Sequence, residues 1–234
     1  MSTKAKDRKV NGKKAKTTAI KATTASAGKV KNGDFASLVE AKKTKLHEAM
    51  ADTRIAELKV EEPPDLRMAG ALYDRFAVGE LQNLERNRVR WIPPGPTWTG
   101  PDLFEFIPKA DRPFTFIRHR GQQISPHNMI TDIGSIPRLA GLFSRGLTPW
   151  GYAAAYLVHD WEFELHHCGG TTKTFDQVRD TMMECVKTLM EKSLAPKSQW
   201  NFWLLYQGIN SALAHRYWDR DPPSCTLPPY DPEA

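Results

Sequence analysis

The apolar residues divide the chain into consecutive segments of different periodicity. Residues 1–33 consist mainly of Lys, Thr, Ala, Ser and Gly and contain almost no large apolar side chain. Such a segment cannot bury enough surface to offset the entropy cost of ordering, so we predict a disordered arm. Asp34 is suited to cap a helix. After it, apolar residues recur at near-helical spacing and predict an amphipathic helix with a narrow apolar stripe. The stripe comprises Phe35, Leu38, Val39, Lys42, Leu46, Met50 and Thr53.

A narrow stripe is typical of a helix that packs on a domain or pairs with another helix. Its segment, residues 34–66, closes with Glu61-Glu62-Pro63-Pro64. This run predicts a linker, because proline cannot continue a helix. We therefore place the start of the globular domain near Arg67.

The segment from about residue 70 to residue 130 has the composition of β-strands. Short runs rich in aromatic and β-branched side chains are separated by Pro and Gly clusters. Such clusters favour turns, and such runs favour strands. We predict a small antiparallel sheet built from Val89–Ile92, Leu103–Ile107 and Phe114–His119.

Beyond residue 130 the apolar period becomes helical. Ser135 is placed to cap a short first helix, and a second is predicted from Pro149 to about His167. A third is predicted from Thr174 and a fourth from Pro196. We expect an α+β domain at 67–220, with a small antiparallel sheet before a four-helix portion and a Pro-rich tail at 221–234. The third helix should bury Phe175, Val178, Met182, Cys185, Val186 and Leu189, and the fourth carries Trp200, Trp203, Leu204, Leu213 and Trp218.

The net charge of +6 belongs to the arm. Residues 1–33 contain ten Lys or Arg and one acid, Asp7, and the other residues contain 23 basic and 26 acidic side chains. A solubilising arm is one interpretation of this distribution. The other is contact with nucleic acid or another polyanion through lysines such as Lys13, Lys14 and Lys16.

The cysteines and the hydropathy pattern predict a soluble protein of a reducing compartment, such as the cytoplasm. Three cysteines without a CxxC pair do not suggest a disulfide framework. The longest dense apolar run, Trp200–Tyr206, is far shorter than the roughly 20 residues that cross a bilayer. The first thirty residues lack the apolar core of a secretory signal.

The ionisable pair His159-Asp160 interrupts an apolar run in the predicted second helix. Such groups need hydrogen-bond partners or a metal, because an unpaired charge in apolar surroundings is costly. His159, Glu162 and His166 share one helical face, which is suitable geometry for zinc or a similar divalent ion. The alternative for His166 is a surface cluster at the helix C-terminus, where cations are favoured.

A second group of polar residues lies where strand gives way to helix. Asp132 and Ser135 have a structural explanation as turn and N-cap residues. The functional alternative is that Asp132 faces His159 or Asp160, orients the imidazole or completes a metal site. A serine-hydrolase triad built on Ser135 is disfavoured, since the Gly-x-Ser-x-Gly elbow is absent.

Two motifs contain these polar residues. The first reads Pro126-His127-Asn128-Met129-Ile130-Thr131-Asp132-Ile133-Gly134-Ser135-Ile136-Pro137-Arg138, and the second reads Ala153-Ala154-Ala155-Tyr156-Leu157-Val158-His159-Asp160-Trp161. Together they resemble a family, domain of unknown function 1353, over roughly residues 70–218. Members are common in phages and prophages, and the family brings no established reaction. The resemblance implies a compact α+β domain. It also marks Asp132, Ser135, His159 and Asp160, and either Asp176 or Asp180, as residues of interest.

Two functions fit these observations. One is a non-catalytic phage protein, associated with a virion or tail or directed at a host protein, in which the His-Asp pair is a buried hydrogen-bond network. The alternative is a metal-dependent hydrolase, with zinc as a suitable metal. Its catalytic residues would be Asp132, Ser135, His159 and Asp160, and its metal ligands His159, Asp160, Asp132 and His166.

Overall fold

The computed structural model describes residues 32–51, 65–133, 149–219 and 225–227. The predicted basic arm with Lys13, Lys14 and Lys16, the proline linker and most of the C-terminal tail lie outside the described residues. Ser135 and the short helix predicted after it also lie outside them.

The described strands form two three-stranded antiparallel sheets. In the first sheet the strand order is β1-β4-β5, and in the second it is β2-β3-β6. In the second sheet Val89 lies opposite Phe106, and Trp91 lies opposite Phe104. The strands are β1 (Glu80–Gln82), β2 (Arg88–Ile92), β3 (Leu103–Ile107), β4 (Thr115–Ile117), β5 (Gln123–Ile124) and β6 (Met129–Thr131).

Six α-helices are present in the described part of the chain, and the last four follow the sheets. The predicted α+β class, with antiparallel strands before a four-helix C-terminal portion, is therefore confirmed. The helices are α1 (Asn32–Ala51), α2 (Leu66–Asp74), α3 (Ala153–His167), α4 (Phe175–Glu191), α5 (Gln199–Ile209) and α6 (Ala212–Asp219). A short 3₁₀ turn, Pro149–Tyr152, leads into α3.

The predicted fourth helix is two helices in the structure. Asn210 ends α5. Ser211 precedes α6, and its hydroxyl accepts a hydrogen bond of 3.3 Å from the Ala214 N–H in the first turn of that helix. Asn and Ser are suited to these positions because their side chains compete with the helical backbone for hydrogen bonds. The prediction of one continuous helix from Pro196 to Trp218 was wrong for this reason.

Helix α4 forms the centre of the helical layer. Thr174 caps it in a capping box with Gln177, in which each side chain bonds the backbone N–H of the other residue. All six residues of its predicted apolar face are buried. Met182, Cys185, Val186 and Leu189 belong to the main core, together with aromatic residues of the sheet region and of α5 (Phe106, Phe114, Phe116 and Phe202). Phe175 and Val178 pack in a second cluster with Phe163 and Trp218. That part of the sequence-based prediction is confirmed.

Helix α2 was not predicted. Lys187 of α4 fixes its carboxyl end. The Lys187 ammonium group donates to the backbone oxygens of Tyr73 at 2.9 Å and Phe76 at 2.8 Å. The Tyr73 ring also meets Phe202 edge to face at 4.9 Å between centroids. These contacts join α2 to residues more than a hundred positions later in the chain.

Helix α1 packs on the domain, which was the first of the two interpretations of its stripe. Val39 and Leu46 are buried against Leu103 of β3 and Ile130 of β6. The helix already includes Asn32, so Asp34 lies inside it and is not its N-cap. Within the described residues, no helix has the length and apolar character needed to span a membrane.

A disulfide bond joins Cys168, at the end of α3, to Cys225. This corrects the expectation of a reduced chain, at least for these two residues. The two cysteines are 57 positions apart, so no local spacing motif in the sequence indicated that they pair. Cys185 is a free, buried thiol in α4, and burial raises its pKa.

Candidate functional site

The predicted His-Asp pair lies inside the fold, where α3 crosses the end of β6. One carboxylate oxygen of Asp160 accepts a hydrogen bond from the Thr131 hydroxyl, and the other lies 3.3 Å from His159 Nδ1. The Thr131 oxygen in turn accepts from the Ile133 N–H at 3.0 Å. We call Thr131, His159 and Asp160 the His-Asp cluster.

One nitrogen atom of the His-Asp cluster is buried without a hydrogen-bond partner. His159 is 5% exposed, and its Nε2 has no hydrogen-bond partner. The ring lies against Phe163, with 4.3 Å between ring centroids. When Nδ1 donates to Asp160, Nε2 of the neutral ring keeps its lone pair. The cluster therefore presents one unused nitrogen to an apolar surrounding.

Asp132 lies beside the cluster, on a backbone with an unusual conformation. Ile133 has a φ of 42°, in the left-handed region that a β-branched residue rarely adopts. Burial raises the pKa of the Tyr156 phenol, and the carboxylates of Asp160 and Asp132 raise it further. Both carboxylates are thus close enough to act electrostatically on one tyrosine of α3. The residue that reaches Asp160 by a hydrogen bond, however, is Thr131.

The predicted metal-binding face of α3 does not form. Nε2 of His166 lies 3.1 Å from the Trp218 carbonyl oxygen, and its ring stacks on the Trp218 indole at 3.7 Å. Glu162 pairs with Lys173 at 2.7 Å. In the part of the chain that the structure describes, no three His, Cys, Asp or Glu side chains are arranged to hold a metal ion. In this structure the predicted ligand His166 is therefore engaged with Trp218.

The carboxylates of α4 also have partners elsewhere. Asp176 and Asp180 both pair with Arg179, at 2.6 Å and 2.9 Å. Glu184 binds the Arg118 guanidinium through two hydrogen bonds of 2.7 Å. Arg118 follows β4, so this bidentate pair connects the helical layer to the first sheet. Asp176 and Asp180, the residues of interest that the family resemblance marked on this helix, are thus both engaged by one arginine.

A second buried polar cluster was missed by sequence reasoning. Glu164 of α3 binds Lys42 Nζ at 2.6 Å, lies 3.5 Å from Lys45 Nζ and accepts a hydrogen bond from the Thr226 hydroxyl. Lys42 also donates to the Tyr217 hydroxyl at 3.4 Å. We call these five residues the lysine–glutamate cluster. The available signal was Lys42, a cation within the apolar stripe of α1, which required a buried partner.

The charges of this cluster are strongly coupled. Burial alone would raise the pKa of Glu164, but Lys42 and Lys45 outweigh it and lower the pKa to about 2. Burial lowers the pKa of Lys42, yet Glu164 reverses the shift and raises it well above its ordinary value. The pKa of the adjacent His167 is lowered to about 4 by burial and then by Lys45. The Glu164 carboxylate therefore holds α1 on the domain. It lies between Lys42 and Lys45, next to a His167 imidazole whose lowered pKa keeps it neutral near pH 7.

Acid is expected to destabilise the protein from about pH 6.5 down to about pH 4, the ordinary and folded pKa values of His167. In this window the unfolded chain binds a proton that the folded His167 does not, so the free energy of unfolding falls as the pH falls. Melting temperatures measured across this range should show a shallower decline for His167→Gln. His47→Gln, at an exposed position of α1, is the control. A profile that His167→Gln leaves unaltered would contradict this assignment.

A scan of protein-family models, a search of curated proteins and a search of solved structures each found no match to this chain. The resemblance to domain of unknown function 1353 consequently rests on the two motifs alone. The site described above therefore rests on its own geometry.

Proposed function

We propose that this chain is a non-catalytic phage-type protein that acts by binding other proteins, in a virion or tail or on a host protein. The observation that carries the proposal is the internal pairing of the His-Asp cluster. Both oxygens of Asp160 are engaged, by Thr131 and by His159, and the Thr131 hydroxyl both donates and accepts. Groups paired in this way hold β6 and α3 together, which supports a structural role for the cluster.

The phage assignment comes from the family resemblance, and the disulfide bond refines the proposed location. Disulfides persist in oxidising surroundings and are rare in the cytosol. A bond between Cys168 and Cys225 therefore suits a protein that leaves the host cytoplasm, as a virion component does. Contact with nucleic acid through the basic arm remains a separate prediction, because the arm lies outside the described residues.

His159→Ala is expected to lower the free energy of unfolding by about 2–4 kcal/mol, because it leaves a cavity beside Phe163 and removes a partner of Asp160. Urea unfolding of the full chain measures this loss. The matched control is His47→Ala at an exposed position, which should change stability by less than about 0.5 kcal/mol. Equal stability of His159→Ala and wild type would contradict a structural role for the cluster.

A metal-dependent hydrolase is the second candidate, favoured by one observation, the buried and unpartnered His159 Nε2. Elemental analysis of purified protein separates the two candidates. Near-stoichiometric zinc, manganese or iron that His159→Ala loses and His47→Ala keeps would favour the hydrolase. Wild-type protein without such metal, together with the loss of stability above, would favour the binding protein.

A further inference from the structure

Strand β2 forms an open edge of the second sheet. It pairs with β3 along one side, and within the described residues no strand pairs with its other side. Four of its five residues are exposed. An edge strand of this kind presents backbone N–H and C=O groups that another extended chain can pair with.

One face of this edge is aromatic. Trp91 and Val89 point to the same face as their partners Phe104 and Phe106 on β3. Trp91 is 53% exposed, and Trp150, which meets the Phe104 ring edge to face at 5.5 Å, is 60% exposed. Exposed aromatic side chains that lie together mark interaction sites more often than isolated ones do.

The opposite face of the same edge is basic. Arg88 and Arg90 alternate with Val89 and Trp91 along the strand, and both are exposed. Arg90 pairs with Glu105 on β3 and lies 5.5 Å from the centroid of the Phe35 ring of α1, with 63% of its side chain still exposed. The two faces of one strand thus differ in chemistry, aromatic on one side and cationic on the other.

We infer that β2 is a docking strand for an extended segment of a partner protein, whose side chains alternate between acidic and apolar. The inference rests on the proposed function and names the chemistry of its partner. A strand added at this edge would place its acidic residues beside Arg88 and Arg90 and its apolar residues beside Val89 and Trp91. Opposite charges and aromatic–aliphatic pairs across neighbouring strands are favourable, so the edge selects this pattern.

A second copy of this chain fits the edge less well. In the antiparallel registers that centre on Val89 or on Arg90 and continue both faces of the sheet, Arg90 would lie opposite Arg88 or Arg90 of the other copy, whereas the register that centres on Trp91 places Arg90 opposite Ile92. Like charges directly opposite each other destabilise a strand pair. Charge complementarity therefore favours an acidic segment of a different protein over self-pairing.

Calorimetric titration of the full chain with a short synthetic peptide that alternates Glu and Val tests the inference. We expect binding, with affinity reduced about tenfold or more by Arg88→Glu and by Trp91→Ala. The matched control variants are Arg120→Glu and Leu194→Ala, exposed positions outside β2 that should leave the affinity unchanged. The same peptide with N-methylated amides along one edge should bind far less, because strand pairing needs those N–H groups.

Three results would overturn the inference. They are no binding of the alternating peptide, equal binding of its N-methylated form, and a concentration-dependent dimer that Trp91→Ala dissociates. A protein partner whose binding neither Arg88→Glu nor Trp91→Ala affects would refute this surface and leave the proposed function standing. Metal held through His159 would instead contradict the proposed function.

Discussion

Glu164→Gln is expected to lower the free energy of unfolding by about 3–5 kcal/mol, since it leaves the buried Lys42 without its counter-charge. The side chains of Lys42 and Glu164 are 4% and 1% exposed, so water cannot replace the lost partner. Urea unfolding measures the loss. The effect is a large fraction of the roughly 5–15 kcal/mol that holds a typical domain together.

The control lies on α1, the helix that carries Lys42. Glu40 pairs with Lys43 at 2.8 Å but is 71% exposed, so Glu40→Gln should change stability by less than about 1 kcal/mol. If Glu164→Gln fails to fold, the double variant Lys42→Met, Glu164→Met remains informative. It removes both charges and should recover most of the stability, because apolar residues of similar volume replace a buried ion pair at little cost.

The double variant also separates two explanations of the loss. Burial lowers the pKa of Lys45 and Glu164 opposes that shift, so replacing Glu164 makes loss of the Lys45 proton easier. A double variant as unstable as Glu164→Gln would therefore show that packing by the Glu164 side chain, and not the stranded charge, holds α1 on the domain. Equal stability of Glu164→Gln and Glu40→Gln would refute the lysine–glutamate cluster itself.

Local signals explain which parts of the fold were predictable. Strand β3 has the predicted bounds, and α4 begins after the predicted Thr174, because caps, turn residues and apolar period are all short-range. Helix α2 was missed because two of its apolar residues, Leu66 and Met68, face solvent and blur its period. Its position depends on Lys187 and Phe202, which lie far along the chain.

The sequence predicted which residues form the candidate site, but not which of them bind each other. The cost of a buried His-Asp pair indicated that His159 and Asp160 have partners, and the turn after β6 was the expected source. In the structure the hydrogen bond to Asp160 comes from Thr131, the last residue of β6, and no local sequence signal separates Thr131 from the polar residues that follow it. The partners of Lys42 lie on α3 and α6, and Thr226 of the C-terminal segment binds Glu164. Sequence spacing cannot relate these distant segments.

Loss of the disulfide bond is expected to lower the free energy of unfolding by about 4 kcal/mol. The bond closes a loop of 57 residues, and the cost follows from the entropy that the unfolded chain regains without it. The same bond holds Thr226, the residue after Cys225, against Glu164. The double variant Cys168→Ser, Cys225→Ser should therefore melt earlier and also loosen the lysine–glutamate cluster, which hydrogen exchange of α1 amides reports.

Reductant provides the matched control. Added to wild-type protein, it should reproduce the lower melting temperature of the double variant, and added to the double variant it should change nothing, because Cys185 is buried and unpaired. Alkylation followed by mass spectrometry identifies the bonded pair before either melt. Wild-type protein in which both Cys168 and Cys225 are alkylated without reduction would refute the bond. If the oxidised protein is as unstable as the double variant, Thr226 and its neighbours keep their position against Glu164 without the disulfide bond.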